Sequence, residues 1–186
     1  MKTILSLLLL LAVPAFGAEV AGVKLDDKTR VGNAELVLNG AGLRKRVVFQ
    51  VYAMGLYLPK KTTSAAEAIG QEGPKRVSIH MLRDVGAAQF TDALADGIRD
   101  NHTEAEAKAF EPRVKALAAI MAEVKEAKKG MNITLDFAGG AMQMGIDGKP
   151  AGNPIAGAEF SRALLRIWLG DKPVQEDLKK ALLGGG

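Results

Sequence analysis

One short stretch of this sequence combines charge, hydrogen bonding and an apolar setting in a way that suits an anionic ligand. Arg44 follows Gly40-Ala41-Gly42-Leu43, and Tyr52 lies in Val51-Tyr52-Ala53-Met54-Gly55-Leu56-Tyr57-Leu58. A guanidinium is a planar fork of donors that can grip a carboxylate bidentately. A tyrosine hydroxyl can add a third bond, while aliphatic walls hold a tail. The blander alternative is an exposed hairpin arginine within Arg44-Lys45-Arg46 and a tyrosine at the edge of the core. Other chemistry is thinly supplied. His80 alternates outward along a strand, as a surface or hydrogen-bonded histidine does. His102 lies at a helix junction beside Asn101, where it is expected to cap. These two separated histidines lack a paired carboxylate motif and make a poor metal case. Cysteine is absent, which excludes disulfides, thiolate zinc sites, iron–sulfur clusters and a cysteine nucleophile. Gly139-Gly140 joins two strands and is no phosphate loop, and there is no Gly-x-Ser-x-Gly elbow. Neither cofactor nor metal is therefore expected. Trp168 falls on an apolar stripe with Ala163 and Leu164, which points to packing more than to ligand stacking.

The frame that must position these residues is one domain's worth of chain, 186 residues. Lys plus Arg number 25 and Asp plus Glu 21, a net charge of +4 without a long basic block. Nucleic acid is therefore not an expected partner. At 48% hydrophobic and 25% charged residues, the composition is that of a folded chain. Residues 1–17 have the layout of a secretory signal peptide: Lys2, an apolar run from Ile4 to Val13, then Pro14 and small residues. The apolar run is shorter than the ~20 residues a membrane span needs. The expected mature protein begins at Ala18, is soluble, and is periplasmic or secreted. Residues 18–186 are expected to form a single domain.

Read along the chain, strands come first. Val20 to Leu25 and Lys28 to Val31 are short strand candidates, and Ala34 to Leu38 alternates up to a turn cluster at Asn39-Gly40-Ala41-Gly42. Arg46 to Leu58 reads as one long strand, with Gln50 sharing the face of Tyr52. Ser64 to Ile69 is a short helix capped by Ser64, and Lys75 to Met81 is a strand. Helical periodicity covers Gly86 to Asp100, then Thr103 to Ala127 with an interruption at Pro112. Met131 to Phe137 and Ala141 to Ile146 form a hairpin, and Asp147-Gly148-Lys149-Pro150 makes the next turn. Helices at Ala158 to Leu169 and Pro173 to Leu183 close the chain. The charged outer side of the last one reads as a solvated face, not a membrane-binding one. Strands, helices, a hairpin and more helices argue for α+β with an antiparallel sheet.

GAGLR, VYAMGLYLP and the C-terminal FSRALLRIWLGDKPVQEDLKKALLG together resemble the chalcone isomerase-like family, over roughly Val23 to Gly184. The resemblance is to its bacterial exported branch. It implies an open-faced β-sandwich, a large antiparallel sheet covered by helices on one face, with a ligand cleft between them. Family members include chalcone-cyclising enzymes, fatty-acid binders and other non-catalytic proteins, so the fold is implied more firmly than any activity. The family's ligand-facing arginine falls on Arg44, and its next polar site, tyrosine in fatty-acid binders, falls on Tyr52. The enzymes' tyrosine falls on Phe90, their asparagine near Gly97 and their threonine or serine near Ile167, none of which can donate a hydrogen bond from its side chain. Chalcone cyclisation needs donors for a developing enolate, so the resemblance favours binding of a small apolar, anionic ligand such as a fatty acid. The expected contacts are Arg44, Tyr52, Gln50 and Phe90. The alternative is an isomerase or lyase with another substrate, using Arg44 as electrostatic catalyst and Tyr52 as proton donor. A third is an accessory protein whose cleft docks a protein partner. The stretch between Arg44 and Tyr52 is about four residues shorter than in the plant proteins. In one continuous strand the two would stand roughly 26 Å apart, so a shared site requires a turn near Lys45-Arg46.

Overall fold

The computed structural model describes residues 16–185. The proposed leader, apart from Phe16 and Gly17, lies outside the described residues. The chain opens with two strands, β1 (Phe16–Val20) and β2 (Val23–Asp26), which pair antiparallel. Val20 to Leu25 is therefore not one strand. Ala21 and Gly22 both have positive φ, 51° and 81°, the requirement of a tight hairpin turn. Strands β3 (Lys28–Val31), β4 (Ala34–Arg46) and β5 (Phe49–Leu58) follow. Helix α1 (Ala65–Gly70) starts where the Ser64 hydroxyl accepts from the Glu67 amide at 3.3 Å. Then come β6 (Lys75–Met81), the two-residue β7 (Val85–Gly86), α2 (Ala87–Asp100) and α3 (Glu104–Val124). The remainder is β8 (Glu126–Ala127), β9 (Asn132–Ala138), β10 (Ala141–Ile146), β11 (Lys149–Ala156), α4 (Ala158–Leu169) and α5 (Glu176–Leu182).

Seven strands make one antiparallel sheet in the order β11-β10-β9-β6-β5-β4-β3. Its faces differ. Val77, Ile79 and Met81 of β6, with Met54, Leu56 and Leu58 of β5, point into a large core shared with α2, α3 and α4. The opposite face carries a small cluster of Leu25, Val31, Leu36, Leu38 and Tyr57, which the β1–β2 hairpin helps to cover. Helices thus lie on one face, as the fold class requires. Among the described residues no helix is long and apolar enough to cross a membrane.

Four further sequence expectations need correction. Asn39 to Gly42 is no turn, because β4 continues through it with a bulge at Asn39. Its glycines admit a helix: a Cβ on Gly40 would lie 2.2 Å from the Ala181 carbonyl oxygen, and one on Gly42 2.8 Å from Leu178. Arg46 to Leu58 is not one strand, because the chain reverses at Val47-Val48. Pro112 does not interrupt α3. It is exposed, as is Lys108, whose carbonyl loses the proline's missing donor, so water can satisfy that group. Finally, Lys149 to Ala156 continues past its turn as strand β11 despite Pro150 and Pro154. As the outermost strand, β11 can spare amide donors.

Candidate functional site

The β4–β5 hairpin decides whether Arg44 and Tyr52 can cooperate. Reversal at Val47-Val48 places Arg44 directly opposite Tyr52 in the ladder, a separation of about 5.5 Å or less between Cα atoms. Lys45 then faces Gln50, which leaves Val51 unpaired. That extra residue is a β-bulge, and a bulge breaks the two-residue alternation of a strand. Its effect is visible in what faces the helices: Phe49 and Val51 line the same cleft as Tyr52. Gln50 is exposed and does not line it. The expectation that Gln50 shares the face of Tyr52 fails for this reason.

The cleft has a volume of about 860 Å³, within the ~300–1,000 Å³ of small-molecule sites. Ile79 and Met81 join Val51 and Tyr52 on the sheet side. Phe90, Leu94 and Gly97 of α2 lie opposite, and Ile167 and Trp168 of α4 close the inner end. The side chains of Ile79, Met81, Phe90, Leu94, Ile167 and Trp168 are buried, so the inner part of the cleft is hydrocarbon. The exposed lining carries Val47 and Phe49 at the hairpin and several charged side chains, with Asp84 beside Arg83 and Lys172 just after α4. Arg46 and Arg83 stand on the hairpin side, and Asp92, Asp96 and Asp100 along α2.

Arg44 is half-buried at this cleft. Its Nη1 donates to the Lys45 carbonyl and, at 3.3 Å, to Oε1 of Gln175. Gln175 also accepts from the Lys45 amide at 2.8 Å and donates to the Leu43 carbonyl at 3.2 Å. One side chain just before α5 thereby clamps both backbone and guanidinium. Among the described residues Arg44 has no carboxylate partner.

Tyr52 is held from the other side. Trp168, 2% exposed, donates its indole N–H to the Tyr52 hydroxyl at 2.9 Å. Burial pushes the Tyr52 phenol upward in pKa, against the smaller opposing effects of the Trp168 bond and the nearby Arg44 charge. The hydroxyl therefore keeps its proton at neutral pH and can donate it to an acceptor in the cleft. Trp168 is a packing residue, as its stripe predicted, and it also orients Tyr52.

Phe90, Gly97 and Ile167 meet in the same cleft. A Cβ on Gly97 would stand 2.7 Å from an Ile167 methyl, so α2 and α4 touch there through hydrocarbon. The histidines lie elsewhere. His80 hydrogen-bonds Ser78 at 3.3 Å, and burial lowers its pKa. The Nδ1 of His102 bonds the Ile98 carbonyl at 2.8 Å, a cap on the end of α2. Among the described residues no group of three His, Asp or Glu could hold a metal.

Sequence reasoning missed Gln175, which is 131 residues from Arg44 and carries no local signal. Ile79 and Met81 were visible in principle, because they alternate on the apolar face of β6.

Comparison with known proteins agrees with this architecture. The structure is similar to the crystal structure of a fatty-acid binding protein of Arabidopsis thaliana, with a TM-score of 0.69 and 14% sequence identity. The likeness covers 87% of this chain and 92% of that one. No curated protein matches the chain in sequence. A family model described as chalcone isomerase-like matches residues 17–184. With that match across the sheet, the helices and the cleft, the chain belongs to the chalcone isomerase-like family.

Proposed function

We propose that this chain is exported with loss of residues 1–17 and binds a small apolar carboxylate, of the fatty-acid class, in the cleft between sheet and helices. The observation that carries the reading is the ladder pairing of Arg44 with Tyr52 at a hydrocarbon-lined cleft, with Arg44 lacking a carboxylate partner among the described residues. A partly buried cation without a counter-ion is costly, and an anionic ligand compensates it. In this reading Arg44 meets the carboxylate, Tyr52 donates a hydrogen bond to it, and Phe90, Leu94 and Ile79 enclose the tail. The name of the Arabidopsis protein indicates the ligand class to try first.

Mass spectrometry of the protein purified from its native host tests both parts. The mature polypeptide is expected to begin at Ala18 and to release a stoichiometric carboxylic acid on denaturation. Retention of residues 1–17 would overturn the export reading. A bare polypeptide that also takes up no long-chain acid in titration would overturn the ligand reading.

A further inference from the structure

Three consecutive residues are the large exposed hydrophobic side chains among the described residues: Val47 at 90%, Val48 at 80% and Phe49 at 57%. They form the tip of the β4–β5 hairpin, where burial within the fold gives no reason for them. Val47 also adopts φ 56°, a left-handed conformation that is unfavourable for a β-branched residue and suits Gly or Asn. Strain combined with exposed apolar surface points to a contact outside the fold.

The surroundings indicate what that contact is. Lys45, Arg46 and Arg83 are exposed around the tip, and the Arg83 guanidinium lies 4.7 Å from the centroid of the Phe49 ring. An apolar knob ringed by cations fits a bilayer interface carrying anionic headgroups. The cleft supplies orientation. Val47 and Phe49 also line it, on the side of Arg46 and Arg83, while Asp92, Asp96 and Asp100 edge the other side along α2, where Arg99 pairs with Asp96 and Lys172 lies beside the helix end. An anionic surface attracts the first edge and repels the second. Asp84 is the acidic exception beside Arg83, and it accepts a hydrogen bond from the Lys129 amide at 2.7 Å.

We infer that the β4–β5 hairpin docks on anionic lipid surfaces, with Val47, Val48 and Phe49 entering the interface and Lys45, Arg46 and Arg83 meeting the headgroups. This rests on the ligand reading above, because docking there brings the cleft to a source of apolar carboxylates. The hairpin is the lip by which such a ligand enters.

Flotation with vesicles of equal parts phosphatidylglycerol and phosphatidylcholine, against pure phosphatidylcholine, tests the inference. Binding is expected to the first only, and to weaken in high salt. Lys45→Glu combined with Val48→Ser changes two exposed side chains outside the cleft lining. It should reduce vesicle binding about tenfold or more, since each juxtamembrane cation contributes roughly fivefold. In solution, without vesicles, the affinity of this variant for cis-parinaric acid should match that of the parent. A Val48→Trp reporter should shift its emission to the blue on anionic vesicles and be quenched by mid-chain brominated lipid. No binding, equal binding to both vesicle types, or self-association that the double variant abolishes would each overturn the docking. Vesicle binding without uptake of cis-parinaric acid in solution would keep the docking and overturn the ligand reading instead.

Discussion

The sheet contains two arginine–tyrosine pairs across neighbouring strands, Arg44 with Tyr52 on the helical face and Arg76 with Tyr57 on the opposite face. Their residue types are the same, yet their surroundings differ. Arg76 bonds both carboxylate oxygens of Asp136, at 2.5 and 2.6 Å, and Thr29 at 2.8 Å. Tyr57 donates to the Asp26 carbonyl at 3.0 Å. Every group there has a partner within the fold, and the β1–β2 hairpin side of the sheet is closed. At the other pair, Trp168 and Gln175 fix the geometry without neutralising the charge. A satisfied pair holds strands together, and a positioned but unneutralised pair is ready for a ligand.

This contrast can be broken most strongly at Arg76. Replacing it by alanine should lower stability by about 2–3 kcal/mol, because Asp136 is left partly buried and uncompensated. Thermal or urea unfolding measures that, and ligand affinity should stay unchanged. A similar loss should come from high pH. Burial, foremost, with help from Asp26, raises the Tyr57 pKa from 10.0 to about 12. The unfolded tyrosine therefore loses its proton first. Its contribution, about 2–3 kcal/mol at most, is complete below pH ~10 and disappears as pH rises toward ~12. Unfolding free energy followed across that interval checks the sign.

Changes on the helical face should be smaller in stability and more visible in binding. Gly97→Asn should destabilise by about 2 kcal/mol through overpacking against Ile167. Combining it with Ile167→Ser should recover part of that loss, since the serine removes the obstructing methyls. A double-mutant cycle in urea measures the coupling. Tyr52→Phe should cost about 1 kcal/mol, because the Trp168 N–H loses its acceptor. The same variant should weaken carboxylate binding several-fold, read by competitive titration.

Much of the fold is legible where the information is local. Strand β6 shows clean alternation, α2 a clear apolar stripe, and α1 a serine cap that the structure reproduces. The failures share a different cause. Gly40 and Gly42 look like a turn, but they are small because α5, about 140 residues later in sequence, lies on them. The turn that a shared site requires is expected near Lys45-Arg46 and falls at Val47-Val48, displaced because that pair has none of the Gly, Asn or Asp that signal reversal. Within the site, Arg44 and Tyr52 stand out by residue type, and the resemblance to a family adds Phe90, Gly97 and Ile167. Gln50 illustrates the limit of periodicity, since one unpaired Val51 turns it out of the cleft.

The central claim, that Arg44 serves an anion and not the fold, is tested most directly by calorimetric titration with a long-chain acid and the matching alcohol. Arg44→Ala should lower affinity for the acid about ten- to a hundredfold, as loss of a charged hydrogen bond does. It should leave the alcohol's affinity and the unfolding transition nearly unchanged. Equal losses for acid and alcohol, or no loss for either, would contradict the account.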